Sequence, residues 1–354
     1  MFTPVETSIG ALLLHQATSN LLYQNGSILG LSGLLRRLMT VPTVEVVGLF
    51  AGMAASYPLL GSLVPELVTR YPSVSITPQS VLFTTSVAAL IGWGTKVRTT
   101  TFAKRTQEAD LAQISNGCTS GHMLCGLPRL SGRSAVATAT FFTVALLTHH
   151  FAHPSLYTDA CPGNVPCYTP VYPTTGTAVS LMLLASSAIL AARTIPHFIA
   201  DSTSSNTANG KDTPESNGSA RTATQFFSGL LFALGLQISG MAHPAKVTSF
   251  LSFPVMHAWD PSLALVVVFG VLPNLITIQR KGFAEPPAFR KTFELPTKTI
   301  KDVDVRFVAG AAAFGVGWGL TGTCPGPAVL RAFAQPGWGL MWLGGFWLGG
   351  RIGA

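Results

Sequence analysis

Ser115-Asn116-Gly117-Cys118-Thr119-Ser120-Gly121-His122-Met123-Leu124-Cys125-Gly126 and Gly319-Leu320-Thr321-Gly322-Thr323-Cys324-Pro325-Gly326-Pro327 decide how this chain is read. Each sets a cysteine among glycines, and the two lie in opposite halves of the 354 residues. Cys118 is followed by Gly121 and Gly132, and Cys324 by Gly326 and Gly337, so the frames superpose when one residue is gapped beside the cysteine. Gly92-Trp93-Gly94 stands upstream of the first stretch and Gly317-Trp318-Gly319 upstream of the second. A fainter echo pairs Asn25-Gly26 and segment 27–39 with Ser239-Gly240 and segment 241–253. The pattern is that of an internal duplication.

The residues around these stretches belong in a bilayer. Hydrophobic residues make up 48% of the chain and charged residues 10%, with a mean hydropathy of +0.43, whereas soluble domains carry about a quarter charged residues. Apolar runs near the roughly 20 residues that cross a membrane as helix fall at 8–25, 43–64, 79–97, 133–152, 174–195, 223–240, 259–279, 305–322 and 336–354. These predict an all-α polytopic membrane protein of about nine spans. The N-terminus has no basic flank of signal-peptide type, so residues 1–25 are expected in the mature protein.

The net charge of +8 raises the question of a nucleic-acid partner, but the distribution of the charge answers to topology. With segment 153–173, which lacks Lys and Arg, placed outside, alternation of the spans puts all but Arg70, Lys246 and Arg331 of the 22 basic residues inside. That is the positive-inside rule. It predicts a plasma-membrane protein with the N-terminus out and the C-terminus in, and no nucleic acid.

The chain divides accordingly. Residues 1–152 form a first repeat half, 153–200 an external loop and joining span, 201–223 a polar Ser/Thr/Asn/Gly linker, and 224–354 a second repeat half. A charged stretch, 98–114, has no counterpart in the second half and reads as a cytoplasmic insertion, since such charge does not face lipid. Four spans per half with one joining span turn the halves opposite ways, an inverted repeat whose site is expected near the bilayer centre. The glycines at 26, 30 and 33 suit either a bend and a short helix or close helix packing. Cys161 and Cys167, on an external loop, suit a disulfide.

Glycine and proline beside Cys118 and Cys324 interrupt helix where the bilayer is thickest, which is tolerated only inside protein or beside a polar path. Segments 119–131 and 325–335 are too short to span and read as half-helices starting at the cysteines, whose N-terminal N–H groups favour an anion. Neither stretch holds a carboxylate. A thiol is a weak donor on a polarizable sulfur, suited to a soft, sulfur-containing anion. An isolated cysteine is most often a buried small apolar residue; two at equivalent points of a duplicated frame read as a pathway. The candidate pathway residues are Cys118, Cys324, Gly117, Thr119, Gly121, His122, Cys125, Thr323 and Gly326. His122 and Cys125 follow Cys118 by four and seven residues, one helical face and a conceivable metal-ligand set, but the second half repeats neither. No metal, cofactor or catalytic residue is expected. His149, His150 and His153 read as interfacial.

Gly117-Cys118-Thr119-Ser120-Gly121-His122 with Cys125-Gly126-Leu127 and Arg133-Ser134, and Gly315-Val316-Gly317-Trp318-Gly319-Leu320-Thr321-Gly322 with Cys324-Pro325-Gly326-Pro327, closely resemble the YeeE/YedE sulphur-transport family, the thiosulfate permeases. Asn25 to Gly33 resembles its first-repeat signature. The resemblance implies an hourglass-shaped inverted-repeat permease, without a covalent step. Thiosulfate passes cysteines equivalent to Cys118 and Cys324, with the bilayer and a cytoplasmic sulfurtransferase as partners. This chain departs from the family in the insertion 98–114 and in lacking the cysteine that some members carry in the first span. The rival readings are a membrane-embedded persulfide-forming sulfurtransferase and a thiol-lined metal carrier.

Overall fold

Proline and glycine punctuate the helices as their backbone chemistry requires. In the computed structural model, which describes residues 1–74, 76–96, 118–153, 161, 165–205 and 217–353, α1 (Pro4–Asn25) opens on Pro4, where a missing N–H costs nothing. It stops at Gly26, whose φ of 68° lets its N–H cap the carbonyls of Leu21 and Leu22. After the break comes the short α2 (Leu31–Thr40), then α3 (Val44–Leu63), capped by Thr43, and α4 (Pro78–Gly94), which opens on a Thr77–Ser80 capping box. Of the two readings of the Gly26–Gly33 region, the bend with a short helix is the one observed.

The chain then passes through a π-helical turn (Ser120–Gly126) and a 3-10 turn (Leu127–Arg129) into α5 (Gly132–Ala152). The joining helix α6 (Thr175–Ser205) follows, and then α7 (Gly218–Ile238), the short α8 (Pro244–Leu251) and α9 (Pro261–Lys281). The last three are α10 (Val305–Thr321), the short α11 (Pro325–Ala334) and α12 (Pro336–Ile352). No strand occurs among the described residues. Insertion 98–114 lies outside them, as does 206–216 of the polar linker, whose two ends, expected as coil, are instead helical in α6 and α7.

Each of the nine expected apolar spans is a helix, but not all are equally equipped to cross a bilayer. By length and composition four are: α3, α5, residues Thr175–Thr203 of α6, and α9; α10 and α11, bent by 42° at their junction, make a fifth if taken as one broken span. The shortfall has local causes. Helices α4, α10 and α12 have 17 residues, the lower limit for a span of about 17–25. Helices α1 and α7 carry polar residues that face protein, such as Gln16, Asn20 and Gln24, or Gln225 and Gln237. Large apolar side chains stay exposed along α6 (Val179, Met182, Leu183, Leu190, Phe198) and α12 (Leu340, Leu348, Ile352). Such surface is stable against lipid, not water. The chain is a multi-pass membrane protein.

Around α6 the order of elements recurs: long, short, long, long, short, long, with the π-helical turn standing where α11 stands in the second half. Contacts recur too. Helix α1 packs on α7 and α4 on α10, while α3–α7 is matched by α9–α1, and α4–α12 by α10–α5. The closest of these pairs rest on glycine. A Cβ at Gly52 of α3 would lie 1.9 Å from the carbonyl oxygen of Phe226, and one at Gly229 of α7 would lie 2.0 Å from that of Leu49, so backbone meets backbone as in small-residue membrane interfaces.

Candidate functional site

The two cysteine stretches, 206 positions apart by their cysteines, meet. Helix α10 ends at Gly322, whose φ of 62° turns the chain, and Cys324 then sits at the N-cap of α11 with Pro325 in the first turn. From the other half, Thr119 Oγ1 donates to Cys324 Sγ at 3.5 Å, and Cys118 Sγ lies 3.1 Å from Ser120 Oγ. Cys118 and Cys324 are both buried. Together with Thr119, Ser120, Gly326 and Pro327 they line a cavity of about 10 Å³, walled by Met123, Met241, Phe232 and Leu236. That is room for about one water, so this neck is closed to anything larger.

Two of its sulfurs escaped the sequence reading. Met123 and Met241 bring thioethers to the same cavity as the two thiols. Methionine is flexible and polarizable, and nothing in its spacing here separates it from an ordinary core residue. Met241 does open the second-half echo segment, 241–253, which was the available signal.

The remaining candidates fall elsewhere. Cys125 Sγ donates to the Leu29 carbonyl at 3.8 Å, away from the neck lining. His122 Nδ1 lies 3.0 Å from Ser134 Oγ, and His122 and Gly121 line a separate lateral cavity of about 360 Å³ with Arg129 and Arg133. Asp302, beside this cavity, is held below the usual carboxylate range by the Thr299 backbone N–H and then by Lys298 and Arg133. Thr323 turns back on Thr321, its Oγ1 donating to the Thr321 carbonyl at 3.1 Å. Gly117 lies outside the described residues. Among the described residues no three of His, Cys, Asp and Glu are placed to hold a metal.

Local backbone differs from the expected pair of half-helices. Segment 119–131 is π-helical and then 3-10, because Gly121 and Gly126 relax the helix, Pro128 removes an N–H and Leu130 takes a positive φ of 54°. In α11, Pro325 and Pro327 lack N–H groups, so Gly326 alone of the first three residues offers one. The helix dipole persists, but fewer amides than expected face an anion.

Asn274 of α9 holds the first stretch in place. Its Nδ2 donates to the Leu124 carbonyl at 3.0 Å and to Thr18 Oγ1 at 2.8 Å, and its Oδ1 accepts from Ser19 Oγ at 2.9 Å. Oδ1 can only accept, so His15 Nδ1, 2.7 Å away, carries its proton toward it. Asn274→Ala is expected to cost about 1–3 kcal/mol by leaving these buried groups unpaired, read as a lower thermal midpoint of the purified protein.

Cys161 and Cys167 are joined in a disulfide. Phe2 N donates to the Cys167 carbonyl at 2.9 Å, fixing the disulfide beside the N-terminal strand of backbone. His149 Nε2 meets Ser252 Oγ at 3.0 Å, His150 Nε2 the Phe253 carbonyl at 2.8 Å and His153 Nε2 the Leu320 carbonyl at 3.0 Å. The three rings thus tie α5 to the turn after α8 and to the end of α10.

Broken helices that meet at a buried neck, inside a bundle with a lipid-facing surface, define a multi-pass membrane protein. Residues 221–346 match a family described as being of unknown function, DUF6691. A probable transporter of Xylella fastidiosa strain 9a5c is 43% identical over 104 residues, 29% of this chain and 68% of the relative. A second probable transporter of that strain is 35% identical over 150 residues, 40% of this chain and 90% of the relative. The chain belongs to the family of these probable transporters. Each relative is less than half its length, since one alignment fills most of the relative and a minority of this chain. No solved structure matches.

Proposed function

We propose that the protein is a permease for thiosulfate or a related sulfur-containing anion, which passes the neck between Cys118 and Cys324 without covalent chemistry. One observation carries the reading: two thiols from opposite halves, with the Thr119 and Ser120 hydroxyls, are the polar lining of an otherwise apolar and closed constriction. Weak donors on polarizable sulfur match the diffuse charge of a soft anion, and Met123 and Met241 supply walls that yield as it passes. The recurring element order, the exchange-invariant contacts and the half-length relatives support an inverted repeat of nine spans. Uptake of labelled thiosulfate by cells lacking their own carriers tests the reading, with sulfate as the hard-anion control. The four-sulfur lining favours one second reading, a carrier of monovalent copper, which soft ligands select; stoichiometric copper in the purified protein would replace the first. A persulfide enzyme would instead show a sulfur adduct on Cys118 or Cys324 by mass spectrometry.

Orientation has its own test. A disulfide at the surface that holds Phe2 suits an oxidising exterior, which supports the reading with the N-terminus out. On intact cells an impermeant maleimide is expected to label the partly exposed Cys161 only after reduction. Labelling that needs permeabilised cells would reverse the orientation.

A further inference from the structure

A third cavity, of about 480 Å³, is lined from α2, α12 and the loop before α10, and plays no part in the neck. Its charges do not cancel. Of its carboxylates, Glu45 is ion-paired with Arg221, its Oε1 2.9 Å from Nε, and accepts from Arg290 Nη2 at 3.0 Å, and Glu294 pairs with Arg290 as well. Arg36, Arg37 and Arg351 also line it, and among the described residues no carboxylate pairs with any of them. Arg36 is anchored by Nη2, which donates to the Gly92 carbonyl at 2.6 Å and to Thr95 Oγ1, and its Cζ stands 5.0 Å from the Phe346 ring centre. Its Nε and Nη1 are buried without a hydrogen bond. Arg351 lies over Trp347, 4.9 Å from the ring centre.

Three guanidinium groups that share a cavity, with no carboxylate paired to them among the described residues, repel one another, and a buried N–H without an acceptor costs free energy. Their planar donor sets match tetrahedral oxyanions better than a halide or a single carboxylate oxygen. We infer that this cavity is an anion-binding site for a tetrahedral sulfur or phosphorus oxyanion, presented as a free ion or as a lipid headgroup, with Arg36, Arg37 and Arg351 as its cationic lining. Helix α2 joins it to the neck: Leu31 N donates to Ser120 Oγ at 3.2 Å, and Arg36 follows one and a half turns later, about 8 Å along the axis. The site stands on its own charges, whatever passes between the cysteines.

The test uses the whole protein in nanodiscs of phosphatidylcholine, titrated with radiolabelled sulfate. Among the described residues no side-chain hydrogen bond holds Arg37 or Arg351 in place, so R37Q/R351Q is the working variant, and R36Q is secondary because Arg36 anchors α4. Wild type is expected to bind sulfate with an affinity that falls as salt rises, and R37Q/R351Q to bind at least about tenfold more weakly, while C324A binds like wild type. A second arm adds phosphatidylglycerol. Retention of that lipid by wild type but not by R37Q/R351Q, with little sulfate bound, supports the site and assigns the headgroup as the source. Equal binding by wild type and R37Q/R351Q in both arms overturns the inference, as does wild type that takes up neither millimolar sulfate nor the lipid. Loss of sulfate binding in C324A places the anion at the neck and overturns it too.

Discussion

Cys324→Ala is expected to bring uptake of labelled thiosulfate down to the level of cells without the protein, and Cys118→Ala to do the same. The neck holds about 10 Å³, so an anion larger than water must widen it and shed its own hydration there. Phe232, Leu236, Met123 and Met241 offer nothing that replaces water. A hydrogen bond to a charged group is worth about 1.5–3 kcal/mol, so removing one thiol lowers the rate of passage by roughly ten- to a hundredfold. Thr119 loses its acceptor in the Cys324 variant as well. Cys161→Ala and Cys167→Ala, on a distant surface, are expected to leave uptake in place. Near-normal uptake by the Cys324 variant would sink the permeation path, though not the fold.

Gly52→Leu is expected to prevent accumulation of folded protein. Its Cβ would fall 1.9 Å from the Phe226 carbonyl oxygen, a backbone atom that no rotamer change removes. Relief requires α3 and α7 to separate, which also opens the reciprocal approach of Gly229 to Leu49. Overpacking in a well-packed core typically costs about 1–3 kcal/mol and occasionally more; a backbone clash between helices this close belongs at the upper end, about 3 kcal/mol or beyond. A fluorescent fusion in detergent, followed by size-exclusion chromatography, checks this. A monodisperse peak of wild-type height and thermal midpoint would show that the helices yield more easily than their packing implies.

Most of the helical plan was legible because its determinants are local. Apolar run length set the nine helices, glycines with positive φ ended them at Gly26, Gly240 and Gly322, and threonine and proline began them. The recurring order of elements has its counterpart in the spacing of Cys118 and Cys324 from their glycines. What defeated the sequence reading was chemistry that depends on neighbours far along the chain. The reading placed His122 and Cys125 on the path with Cys118, but a π-helical turn rotates them away, toward Ser134 and the Leu29 carbonyl. Met123 and Met241 look like any core methionine until the halves are docked.

The sequence by itself determined an all-helical membrane bundle, because hydropathy and helix termini are set within about 20 residues of chain. Only the tertiary structure decided that Thr119 touches Cys324, that the cavity beside them has room for about one water, and that Arg36, Arg37 and Arg351 gather with no carboxylate paired to them among the described residues. Those relations depend on how helices from opposite halves approach, and the approach is governed by backbone-to-backbone contacts at glycines hundreds of positions apart, for which a linear sequence carries no local signal.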